Sequence, residues 1–165
     1  MDEERRERLA TDRGFLVIPD EYDATLGRFL FGIGTDPYKC LIVLYHTARI
    51  WQRRSLREAI GVEGMAVGLT PEHAELEDHF EPWRSRRVRF PEFRSAVEEL
   101  WVVLYRAYCD ELRWPIRDHR PGLPPAQGDV VLWEDTFGQR HPYRGMIEGI
   151  PARDPNPGAE PEETP

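Results

Sequence analysis

Residues 92–112 constrain the chain most. Phe93, Ala96, Val97, Leu100, Trp101, Leu104 and Tyr108 recur at the 3.6-residue spacing of an α-helix. Val102, Val103 and Tyr105 widen the apolar arc past one face, so the spacing predicts a central helix contacted from several sides. A second apolar helix is expected near 37–54. Thr35-Asp36-Pro37 opens it with a capping side chain and a proline in the first turn. Leu41, Leu44, Tyr45, Ala48 and then Trp51 or Gln52 form its stripe. Two such helices bury their flanks by packing on each other.

The remaining elements are shorter. Residues 2–13 read as a charged helix stopped by Gly14, Phe15–Ile18 as a strand, and 21–31 as a helix with Tyr22, Leu26, Phe29 and Leu30 on one face. Ser55 and Glu58 fit a capping box opening a short helix through Ile60, and Gly61, Gly64 and Gly68 then mark a flexible loop. Thr70-Pro71-Glu72 starts an acidic helix that runs to about Phe80, with Pro82 ending it. Arg86–Phe90 alternates like a strand. A Pro- and Gly-rich stretch follows Pro115. Asp129–Trp133 then reads as a strand on β-branched content, paired with Gly145–Ile150 in a hairpin. From Pro151 onward, five prolines and four acids stand against one arginine, and a disordered tail is expected.

The expected fold is therefore α+β. A single, mainly helical domain spans 1–150, with two central helices and a small antiparallel sheet or C-terminal β-hairpin. An acidic tail spans 151–165.

With 165 residues the chain is long enough to bury a core without disulfide or metal staples. No apolar run approaches the ~18 residues of a membrane span, and the charged N-terminus lacks the apolar core of a signal peptide. A cytoplasmic protein without membrane contact is expected. The net charge of −8 opposes general affinity for nucleic acid. Cys40 and Cys109 sit in apolar segments and read as reduced, buried thiols.

Several residue groups bear on function. His73, Glu75, Glu77 and His79 would form two i,i+4 pairs on a helix, but on different faces and without a second His-rich helix. A solvated acidic helix with no metal is the reading taken, and no cofactor is expected. Two arginine clusters, 49–57 and 84–89, are interleaved with Trp51 and Trp83, a mixture suited to phosphates and stacked bases. Pairing with the abundant carboxylates competes with that use. The stretch from Glu134 to Arg144 combines acid, base, aromatic and imidazole in a connection too long for a tight hairpin, as binding loops often do.

Cys40 lies just past a helix start, where a thiolate would be stabilised, and His46, His119 and His141 are candidate bases. A helix-opening cysteine, a Gly128-Asp129-Val130-Val131-Leu132 strand and a later histidine resemble the NlpC/P60 and CHAP cysteine hydrolases. The resemblance covers two short segments, and would make Cys40 the nucleophile and His141 its base. The usual Asp-Cys-Ser or Asp-Cys-Gly context is missing, and Pro142 directly follows His141. The P-loop, the dinucleotide fingerprint, the G-x-S-x-G elbow and H-E-x-x-H are all absent.

With no catalytic constellation, the first expectation is a binding or regulatory protein acting through protein–protein contacts, with a partner or with itself. Its candidate binding residues are Trp51, Arg53, Arg54, Trp83, Arg86, Arg87, Phe137, Arg140, His141 and Tyr143. The alternatives are a nucleic-acid-binding protein using the arginine clusters and a cysteine hydrolase using Cys40 and His141.

Overall fold

In the computed structural model, residues 10–12, 15–18, 23–111, 123 and 125–154 are described. The architecture is α+β. A two-stranded hairpin, β1 (Ala10–Asp12) and β2 (Phe15–Val17), precedes two helices, α1 (Ala24–Ile33) and α2 (Pro37–Trp51). A four-stranded antiparallel sheet follows in the order β3 (Glu58–Val62), β4 (Met65–Leu69), β5 (His73–Asp78) and β6 (Arg86–Arg89). The chain then enters the long helix α3 (Phe90–Glu111), and α4 (Pro125–Phe137) is the last helix among the described residues.

The two expected core helices are present and packed on each other. Asp36 caps α2 by accepting from the Tyr38 amide at 3.0 Å, with Pro37 in the first turn. Leu41, Leu44 and Ala48 of α2 and Phe93, Val97, Leu100, Trp101 and Leu104 of α3 are buried. Phe29 of α1 meets Phe93 with ring centroids 5.7 Å apart.

The helix expected over 2–13 is corrected at its end. Ala10–Asp12 pairs antiparallel with Phe15–Val17, because ladder bonds between the two segments satisfy backbone that an apolar-poor helix could not hold by packing. Residues 2–9 lie outside the described residues.

The sheet replaces two expected helices and a loop. Inward positions alternate strictly: Ile60 on β3; Met65, Val67 and Leu69 on β4; Ala74, Leu76 and Asp78 on β5; Val88 on β6. That period of two overrides both cap-like starts. Ser55 turns the chain locally, donating to the Arg57 carbonyl and accepting from the Arg57 amide. Thr70 closes a four-residue turn, its amide on the His73 carbonyl at 2.9 Å and its hydroxyl taking the His73 amide at 3.1 Å. Glu63 and Gly64, with φ 42° and 79°, form the two-residue link between β3 and β4 that a hairpin requires. Gly61 and Gly68 lie within strands rather than in a loop.

The expected C-terminal hairpin is also corrected. Residues 125–137 are helical: Ala126, Val130 and Trp133 recur at i, i+4, i+7 and are buried, and Pro125 occupies the first position, where its missing N–H costs nothing. Residues 141–150 are successive turns with one bridge, Ile147 to Ile150. They are bound to the core by Trp101, whose indole N–H donates to the Glu148 carbonyl at 2.8 Å. No helix among the described residues is long and apolar enough to cross a membrane. Most of the Pro- and Gly-rich stretch, and the tail from 155, lie outside the described residues.

Candidate functional site

The connection from β5 to β6, residues 79–85, is a loop held from below. Asp78, the last inward residue of β5, has one carboxylate oxygen on the Phe80 and Glu81 amides, both at 3.0 Å, and the other on Arg28 of α1 at 2.6 Å. Its own amide donates to the Ser85 hydroxyl at 3.2 Å. The amide of Glu81, then that of Phe80, together with the Arg28 charge hold this carboxyl below its ordinary pKa despite burial. Glu81 in turn takes Arg28 and Arg84, each at 2.9 Å. Thr25 donates to the Arg84 carbonyl, and Pro82–Arg84 is a single 3-10 turn.

On this braced loop Phe80 and Trp83 are 75% and 72% exposed. Phe31, also exposed, stands on α1 three residues after Arg28. Here the polar contacts sit inside and the large rings outside, the reverse of the usual distribution of apolar and polar groups.

A second constellation lies where α2 ends. The Trp51 indole donates to the Tyr143 hydroxyl at 3.2 Å, which donates to Glu98 at 2.8 Å. Glu98 accepts Arg94 Nε at 2.7 Å, and the Arg94 guanidinium lies 4.1 Å over the Trp51 ring. Burial alone would lower the Arg94 pKa, but the hydrogen bond and charge of Glu98 raise it. Burial first, then the neighbouring Glu98 carboxylate, pushes the Tyr143 hydroxyl up, so it stays protonated. Together with Ile50, Arg53, Pro71, Phe90, Pro91 and Ser95, Trp51, Arg94 and Glu98 border a cleft of about 470 Å³.

The expected residues are thus divided between places. Trp51 and Tyr143 meet, and Arg53 borders the same cleft. Arg54 is exposed just beyond α2. Trp83 stands on the braced loop, with Arg86 and Arg87 beginning the next strand. Phe137 stacks on Trp133 at 4.6 Å and remains partly exposed, and Arg140 is tied to the Ala152 carbonyl at 2.6 Å.

His141 is not a surface group. It is buried, its Nε2–H donating to the Leu41 carbonyl at 2.9 Å and its Nδ1 accepting the Tyr143 amide at 3.2 Å. Burial, helped by the Arg144 charge, lowers its pKa to about 4. Both ring nitrogens are occupied by backbone, so His141 is not placed to act as a general base; His46 is paired with Glu58 at 2.7 Å, and His119 lies outside the described residues. Cys40 is fully buried in the core, and desolvation raises its thiol pKa far above the reactive range. The segment 128–132 that carried the resemblance is helix, not strand.

The metal pairs also dissolve. On β5, His73 and Glu77 stand about 13 Å apart along the strand. No group of three or more His, Cys, Asp or Glu among the described residues could hold a metal ion. The arginine clusters fall at opposite edges of the sheet, one running into β3 and the other on β6, and several members are already paired. Arg49 and His46 share Glu58, Arg84 takes Glu81, and Arg87 reaches across to Glu75.

Sequence reasoning missed Asp78, Phe80, Arg94 and Glu98. The Arg94–Glu98 pair at i,i+4 was visible on a helix already assigned. Asp78 was hidden by the helical reading of 70–80, which placed it among solvated acids. Compared with protein-family models, curated proteins and solved structures, the chain matches none.

Proposed function

We propose that this is a small binding protein that acts through protein–protein contacts, with the loop 79–85 as its anchor. The observation behind this is the pairing of two largely exposed rings, Phe80 and Trp83, with a loop fixed by Asp78, Arg28, Glu81 and Thr25. A partner that covers those rings gains their burial without first having to order the loop, and pre-ordering of this kind is what raises affinity. Trp is among the residues that dominate interface energetics, and Arg84 and Arg86 beside it supply a polar rim.

The nucleic-acid reading has less behind it, since Arg49, Arg84 and Arg87 are neutralised by carboxylates and the net charge is −8. The hydrolase reading also has less behind it, with Cys40 buried in the core and both His141 ring nitrogens held by backbone.

The test combines sedimentation of the purified chain with affinity capture from native lysate, comparing wild type with a Phe80→Ala/Trp83→Ala double variant. One stoichiometric complex, with itself or one partner, is expected, weakened at least ~30-fold in the variant. Since neither ring is buried, the variant should melt like wild type. A chain that remains alone in both assays, or a complex indifferent to both rings, rules the proposal out.

A further inference from the structure

The cleft at the end of α2 has a composition that calls for a particular occupant. Its apolar floor comes from Ile50, Pro71, Phe90 and Pro91, and Trp51 with Arg94 on its face forms one wall. The volume of about 470 Å³ falls within the range of small-molecule sites, roughly 300–1,000 Å³. The lining holds two cations, Arg53 and Arg94, and a single acid, Glu98. Glu98 is already engaged by Arg94 and Tyr143. Arg53 has no ion-pair partner among the described residues, so the cleft carries one uncompensated positive charge.

Arg53 provides the second observation. It occupies the residue after the α2 cap at φ 56°, the left-handed region. The Arg53 amide reaches the Ile50 carbonyl at 3.0 Å and the Arg54 amide reaches that of Arg49 at 2.8 Å. That is the paired closure with which helices end, and glycine is the residue it favours at this position. Both bonds are made by backbone, and glycine would make them with less strain. An arginine held there at the expense of stability, with its side chain bordering a cleft, points to use of the guanidinium.

We propose that this cleft binds a small organic anion with a flat apolar body. The body lies against Phe90 and the two prolines, and the anionic head sits between Arg53 and Arg94. Arg94 is set in advance by the Trp51 ring and by Glu98, so its donor fork is ordered before the ligand arrives. This site is separate from the exposed rings of the loop 79–85 and does not depend on them.

Calorimetric titration of the full chain tests it, with 2-naphthoate, 2-naphthyl phosphate, neutral 2-naphthamide and inorganic phosphate as probes. At least one naphthyl anion is expected to bind one to one, and at least ~10-fold more tightly than the amide. The two anions decide between a carboxylate and a phosphate head, and inorganic phosphate alone should bind weakly because it leaves the floor uncovered. Arg53→Gly should raise Tm by about 2–4 °C and yet weaken the anion at least ~10-fold. The Phe80→Ala/Trp83→Ala variant should bind the probe as wild type does. The inference is overturned by absence of saturable binding of either naphthyl anion in the millimolar range, by an amide that binds equally well, or by binding that Arg53→Gly leaves intact.

Discussion

His141 shows how one side chain can be structural while looking catalytic. Its ring ties the start of α2 to the turn that carries Tyr143, and both bonds require the neutral form with hydrogen on Nε2. Protonation would set Nδ1–H against the Tyr143 amide. In the folded chain the pKa is about 4, against about 6.5 when unfolded. As pH falls below 6.5 the unfolded chain takes up the proton first, so stability present at pH 7 is lost between about 6.5 and 4. Urea unfolding at pH 7 and pH 4.5 should differ by about 2–3 kcal/mol from this group alone. His141→Gln, which keeps a donor and an acceptor but cannot titrate in this range, should remove that slope. A slope unchanged in the variant would mean that the ring is not the titrating group.

At the scale of elements, the β3–β4 hairpin and the loop 79–85 meet at one glycine. Gly64 has φ 79°, and a Cβ there would lie 2.0 Å from Cε2 of Phe80. Gly64→Ala should cost about 1–2 kcal/mol, a few degrees in Tm, and displace the Phe80 ring. Gly68→Ala, which meets nothing within 4 Å, should be close to neutral. Thermal melts of the two variants check that the cost belongs to position 64 and not to replacing any glycine of the hairpin. The same region explains what could be read in advance. Helix α2 was legible because cap and stripe agree, and α3 because its stripe persists over many turns. The span 55–80 was misread because Ser55 and Thr70 carry helix-start chemistry that they spend on tight turns instead. Only the alternation of Ile60, Val67 and Leu76 with Ala59, Gly68 and Glu75 reports the sheet, and small residues on its outer face blur that alternation. In α4, four apolar residues in a row imitated a strand, and the stripe from Ala126 through Trp133 appears only in a longer window. The cleft was half legible: Trp51, Arg53 and Tyr143 were picked out, but their neighbours depend on a chain crossing that no local pattern encodes.

At the scale of the whole molecule, α1, α2, α3 and the sheet share one core, and Cys40 sits within it at 0% exposure. Its thiol therefore reports opening of the entire assembly. In a Cys109→Ser chain, alkylation of Cys40 should be slower than that of an unfolded thiol by a factor on the order of 10³ or more, and should rise with urea in step with global unfolding. Fast modification under native conditions would mean that α2 opens on its own. Asp78 links that core to its outer surface. The hydrogen bonds and ion pairs that shape the loop 79–85 are made by backbone, carboxylate, hydroxyl and guanidinium groups, and none by the rings at its tip. What the loop presents is thereby uncoupled from what keeps it in place. Successive exchanges at positions 80 and 83 could redirect recognition toward new targets while the frame beneath retained its shape and its melting point.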